Sequence, residues 1–256
     1  MEFPKYRRLP LSGLKNCREL GGYAVPSGIT KYAVCLRSEV PSALTPEDIS
    51  FLKDYGLTTV IDFRSTPETK HVPDVLAALP WINYIVLPMF SEAAAAGANP
   101  GPDNREPPKF DESFSWKDEY IHFAERHKSW VHDSLEAIAA APGTVLYHCT
   151  TGKDRTGIIS ALLLSLCGVS NEDVIADYAV SQIYLKEMYR TMTHLLPDKD
   201  RDNISHPFFS TAPVNMEAFL DYIDSHYGGC APYLKTCGIS DNVAATLRAK
   251  LTEHFG

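Results

Sequence analysis

Thr144-Val145-Leu146-Tyr147-His148-Cys149-Thr150-Thr151-Gly152-Lys153-Asp154-Arg155-Thr156-Gly157 is the stretch on which the fold turns. Its first five residues are β-branched, apolar or aromatic up to a closing histidine, which is the composition of a short buried strand. From Thr156 the chain runs into Ile158–Val169, a near-apolar segment that reads as a helix. Five residues separate Cys149 from Arg155 in the loop between them. A loop of that size can fold the backbone N–H groups of Thr150, Thr151, Gly152 and Lys153 around one tetrahedral anion. The helix that follows aims the positive end of its dipole at the same point.

That field favours a thiolate, the form of cysteine that attacks, so Cys149 is the expected nucleophile. Arg155 offers a planar fork to two phosphate oxygens and opposes the charge that spreads in the transition state. Thr156 can donate a hydroxyl hydrogen bond to the departing sulfur. Gly152 allows the tight turn, and Gly157 a close approach where the helix begins. Lys153, Asp154 and Arg155 beside an apolar strand need a buried purpose. The expected chemistry is metal-independent and cofactor-free: phosphomonoester hydrolysis through a cysteinyl-phosphate. Two alternatives stand beside it, a rhodanese-like sulfurtransferase and a catalytically weak phosphate-binding module. The gap to Arg155, with a threonine directly after it, favours phosphate and an active enzyme.

Working outward, Tyr32–Arg37, Thr58–Phe63 and Trp81–Leu87 also read as strands. Thr45-Pro46-Glu47-Asp48 opens a helix, with Thr45 at the N-cap and Asp48 closing a capping box, and Gly56 stops it. Helical spacing runs from Trp116 through Tyr120, Phe123, Trp130, Leu135 and Ile138 to Pro142-Gly143. Ser91–Pro108, rich in Ala, Gly and Pro, reads as a long loop. Beyond about residue 171 only helical patterns are found. The expected fold is α/β, a central mixed and largely parallel sheet flanked by helices with a helical C-terminal cap. Residues 1–256 read as a single domain in which 171–256 form that cap or flank.

A formal net charge of -8 argues against a nucleic-acid partner and requires a focused site for any anion. Six cysteines are too few for a disulfide scaffold; Cys35 and Cys167 read as buried apolar groups, and a Cys230–Cys237 bridge is not indicated. His122, His127 and His132 recur every five residues and rotate around a helix, so no metal is implied. No apolar run is long enough to span a bilayer, and Met1–Arg8 lacks a signal-peptide core; a cytoplasmic protein is expected.

The loop, with Gly152-Lys153-Asp154-Arg155-Thr156-Gly157, resembles the Cys-x5-Arg phosphatases, specifically the atypical bacterial and fungal tyrosine phosphatase family. Two further blocks are similar to that family: Asn16-Cys17-Arg18-Glu19-Leu20-Gly21-Gly22 and Ile61-Asp62-Phe63-Arg64-Ser65-x-x-Glu68. The resemblance implies a protein-tyrosine-phosphatase-like fold. It also implies a phosphorylated protein substrate, phosphotyrosine first, with dual-specificity or phosphoinositide activity behind it. It assigns the general acid to Asp154. Asp118, 31 residues before Cys149, and Asp62 are the alternatives, although Asp118 sits where a helix starts. Lys153 either meets a second phosphate or is a surface lysine paired with Asp154 or Glu68. Asp62 and Arg64 are expected to contact substrate or orient the loop, or to form a structural ion pair. Asn16 and Arg18 either support the loop or make a turn, and His148 reads as structural rather than a base. Tyr184, Met188 and Met192 share a helix face that could roof the site or pack in a core.

Overall fold

The computed structural model describes residues 7–90, 114–193, 196, 198–200 and 203–255. Its strands are β1 (Arg18–Glu19), β2 (Ala24–Val25), β3 (Gly28–Thr30), β4 (Cys35–Ser38), β5 (Leu57–Asp62), β6 (Asn83–Val86), β7 (Thr144–His148) and β8 (Thr252–His254). Five of them form one sheet in the order β1-β4-β7-β5-β6. β4, β7, β5 and β6 run parallel, and β1 is antiparallel to β4 at the edge. The fold is the expected mixed, largely parallel α/β sheet.

Side chains alternate across a strand, and here the alternation sorts residues into two cores. Cys35, Ile61, Val145 and Tyr147 face one side, where the helices Trp116–Arg126, Lys128–Ala140, Pro213–Tyr227 and Asp241–Leu251 gather. Leu36, Val60 and Leu146 face the other, against Leu9, Leu11, Leu14 and the helix Pro46–Asp54. That helix starts as read, with a Thr45–Asp48 capping box. The helix Arg155–Leu166 carries buried residues on every face, which explains why its sequence shows no polar stripe.

The parallel strands all end on one edge, with His148 in register with both Ser38 and Asp62. This edge is where an α/β sheet builds a site, because the loops leaving neighbouring strands meet there.

Two expectations are corrected. The helical pattern from Trp116 to Ile138 is two helices broken at His127, whose φ of -118° and ψ of 32° leave the helical region. Its ring is buried against Phe90 and Phe123 instead of continuing a helix face. The chain beyond residue 171 is not helical throughout: β8 pairs antiparallel with β3, which pairs with β2 in a three-stranded sheet. Three residues are too few to show a period of two, and the partner strand lies near the other end of the chain. The Ser91–Pro108 reading falls outside the described residues. Six cysteines are free, Cys230 and Cys237 among them. No helix among the described residues is long and apolar enough to cross a membrane.

Candidate active site

β7 delivers Cys149 to the carboxyl edge of the sheet, where it is 2% exposed. Behind it the buried His148 ring puts Nδ1 3.0 Å from the Cys149 carbonyl and Nε2 2.9 Å from Asp74 Oδ2. Gly152 adopts φ +72°, and a Cβ there would lie 2.3 Å from the Ser38 carbonyl, so conformation and space both demand glycine. The N–H groups of Thr150, Thr151, Gly152 and Lys153 donate to no acceptor among the described residues. Four such adjacent donors at the start of a helix can take up an anion.

Arg155 opens that helix and is held as a fork. Its Nη1 and Nη2 donate to Glu68 Oε2 and Oε1 at 2.9 and 2.6 Å, and Nη1 also reaches the Phe63 carbonyl at 3.2 Å. Glu68 also accepts from Thr150 Oγ1 at 2.8 Å and from the Ser65 N–H and hydroxyl at 2.9 Å. Burial pushes the Glu68 carboxyl up, but Arg155 and these donors outweigh it and hold it down to about 2.

Asp154 has the opposite electrostatics. Burial raises its carboxyl above the usual range, only partly offset by Lys153 and by the Tyr120 hydroxyl, which donates to Asp154 Oδ1 at 2.7 Å. Tyr120 is itself placed by Tyr178, 2.9 Å away. Asp154, Arg155, Lys153, Thr150 and Thr151 line one cavity of about 410 Å³, walled by Phe90, Trp116, Phe123, Tyr189, Phe208 and Phe209.

The pattern that defines the tyrosine phosphatase family matches residues 9–253. The chain belongs to the tyrosine phosphatase family. It is 28% identical over 225 residues to a tyrosine-protein phosphatase of Nostoc commune, covering 81% of this chain and 70% of that one. A relative from Cupriavidus necator is 26% identical over 89% of this chain and 82% of its own. The triple specificity protein phosphatase PtpB of Mycobacterium tuberculosis is 31% identical over 148 residues, covering 52% of this chain and 53% of that one. As a tyrosine phosphatase family member the chain is a phosphatase.

The remaining expected residues of this phosphatase separate clearly. Asp118 is exposed in the first turn of the helix Trp116–Arg126 and does not line the cavity. Asp62 is fully buried, taken up by Arg64 Nη2 at 2.7 Å and the Tyr84 hydroxyl at 2.8 Å, and also lies outside the cavity lining. Arg64 lines the cavity, and its donors go to Asp62 and the Val72 carbonyl. Lys153 is no surface lysine. Its buried ammonium donates to the Phe208 carbonyl and lies 4.6 Å from the Trp116 ring and 5.5 Å from the Phe208 ring; burial lowers its proton affinity. The Thr156 hydroxyl is buried and has no hydrogen-bond partner among the described residues, Cys149 included. Met192 lines the cavity beside Tyr189, while Tyr184 lies under the Arg8 guanidinium at 4.7 Å.

Sequence reasoning missed Glu68 as the partner of Arg155 and Tyr120 as the partner of Asp154. Glu68→Gln should lower kcat/KM about 10- to 100-fold, because the neutral amide cannot hold both arms of the fork. The depressed Glu68 carboxyl stabilises the fold above pH about 4.5, and that contribution fades as pH falls toward about 2. The Tm gap between wild type and Glu68→Gln should therefore narrow on acidification below pH 5. A gap that does not depend on pH would remove the ion pair from this account.

Proposed function

We propose that the chain hydrolyses phosphomonoesters through a cysteinyl-phosphate intermediate, with phosphotyrosine in proteins as the first substrate class. One observation carries the reading. A partly buried carboxyl of raised proton affinity, Asp154, and a preset guanidinium, Arg155, line an aromatic-walled cavity together with Thr150, Thr151 and Lys153 of the loop that Cys149 opens.

The Cys149 thiolate attacks phosphorus in line with the ester oxygen, so an S–P bond forms as the P–O bond to the alcohol breaks. Asp154 gives its proton to the leaving oxygen, a role its raised proton affinity suits. In the second half the Asp154 carboxylate takes a proton from water. The water oxygen bonds to phosphorus, the S–P bond breaks and the electron pair returns to sulfur. Arg155 and the loop N–H groups oppose the charge on the phosphoryl oxygens in both halves. The orphaned Thr156 hydroxyl is a donor for the sulfur as it departs. No step uses a metal ion.

The walls of Phe90, Trp116, Phe123 and Tyr189 suit an aryl ring, which supports tyrosine over serine or threonine. A phosphoinositide is the second reading, favoured by the Lys153 ammonium beside the same cavity. Residues 171–256 act within the same catalytic domain in this reading, since Met216, Phe219, Leu247 and Leu251 share a core with β7.

For the acid, Asp154→Asn should slow phosphotyrosyl peptide turnover about 10²- to 10³-fold and para-nitrophenyl phosphate less, since that leaving group needs little protonation. Asp118→Asn should stay within about twofold of wild type. The opposite ordering would move the acid to Asp118. Transfer of sulfur to cyanide with no phosphate release would replace the whole reading by a sulfurtransferase.

A further inference from the structure

The loop's free N–H groups have a cause that lies outside the loop. Every peptide bond described is trans, so a carbonyl held on one side turns the next residue's N–H to the other. Four successive carbonyls are held this way. Cys149 O faces His148 Nδ1, and Thr150 O accepts from the Val40 N–H at 3.1 Å. Thr151 O accepts from Asn16 Nδ2 at 3.1 Å, and Gly152 O accepts from Arg37 Nη2 at 2.8 Å and Asn16 Nδ2 at 3.4 Å.

Asn16 and Arg37 both trace back to one carboxylate on the helix Asn171–Ala179. Asp177 Oδ2 accepts from Arg37 Nη1 at 2.5 Å, and Oδ1 from Arg18 Nε at 2.8 Å and the Tyr23 hydroxyl at 3.0 Å. Arg18 Nη1 donates to Asn16 Oδ1 at 2.5 Å, which turns the Asn16 amide so that Nδ2 faces the loop. Arg18 and Arg37 are direct partners across β1 and β4, where two like charges would repel without the carboxylate between them. Burial pushes the Asp177 carboxyl up, but the two guanidinium groups outweigh it and hold it down to about 2. A buried ion cluster is a poor source of stability compared with apolar packing. This one aims Arg37 Nη2 at the catalytic loop directly and, through Arg18, the Asn16 amide.

We propose that Asp177 is a positioning residue of the phosphate site. Through Arg37, Arg18 and Asn16 it fixes the peptide planes of Thr151 and Gly152, so that the N–H groups of Gly152 and Lys153 meet the phosphate oxygens. The inference rests on the phosphatase reading above.

The test uses the full chain carrying Cys149→Ser, titrated with inorganic phosphate and followed by amide proton and nitrogen shifts. The Gly152 and Lys153 amide protons should move downfield more than those outside the loop. Adding Asp177→Asn should weaken phosphate binding about tenfold and shrink those two shifts, and Asp177→Glu should restore part of both. Phosphate binding with the two amides unmoved would overturn the proposal and leave the phosphatase reading standing. So would a folded Asp177→Asn chain with lowered Tm but unchanged phosphate affinity. If Asp177→Asn does not fold, Asn16→Leu takes its place, and unchanged affinity there is equally fatal. No phosphate binding by the Cys149→Ser chain at all would overturn both readings.

Discussion

Replacing Cys149 by Ser is expected to slow para-nitrophenyl phosphate hydrolysis by about 10⁴-fold or more while inorganic phosphate still binds. A serine hydroxyl is not ionised near neutral pH, and it needs a base to attack. None is placed for it: His148 is committed to the Cys149 carbonyl and to Asp74 behind the loop. In the proposed mechanism Asp154 gives a proton in the first half-reaction rather than taking one. The anion cradle, by contrast, is built from backbone N–H groups and Arg155, which the substitution leaves in place. Steady-state rates together with calorimetric phosphate titration separate the two effects. Activity within tenfold of wild type would put the nucleophile elsewhere; loss of phosphate binding would overturn the reading of the loop as a phosphate site.

Arg155→Lys is the second large effect, expected at about 10³-fold in kcat with a weakened affinity for vanadate. Charge is conserved, so a small loss would show that only the positive field matters. The structure argues for geometry instead. Two nitrogens of Arg155 are aligned by the two oxygens of Glu68, and Thr150 and Ser65 fix that carboxylate in turn. An ammonium can satisfy one oxygen of Glu68 and cannot present a planar pair to phosphate. In the double variant with Glu68→Gln the losses should be less than additive, because both substitutions break the same fork.

What could be read from the sequence follows the range of the interactions. Cys149, Gly152 and Arg155 lie within one loop, and their spacing alone carries a chemical meaning. Buried strands such as β5 and β7 announce themselves by unbroken β-branched and apolar residues. The Thr45–Asp48 capping box is likewise local, and it appears as read. Glu68 was visible as part of a motif, yet nothing in its neighbourhood says that it grips a guanidinium 87 residues away. The same holds for Tyr120 and Asp154, 34 residues apart, and for Asp177, whose partners lie 140 and 159 residues upstream. Strands of two or three residues such as β1, β2, β3 and β8 are too short for periodicity to register. One sequence reading of Lys153 places it at the surface, because its aromatic surroundings come from two distant segments, Trp116 and Phe208.

The pairing of β3 with β8 has a consequence for the order in which the molecule is made. Ser27 and His254, 227 residues apart, meet at 2.7 Å across that small sheet. During synthesis the hairpin of β2 and β3 must wait, with one edge unpaired, until Thr252–His254 have left the ribosome. Contacts of such long range close slowly, since the chain between them loses its freedom before they reward it. Arg18 and Asn16 wait in the same way for Asp177, so the contacts that brace the Thr151 and Gly152 carbonyls are completed late. Ribosome-held chains ending before the helix Asn171–Ala179 should be inert, although they already contain Cys149 and Arg155.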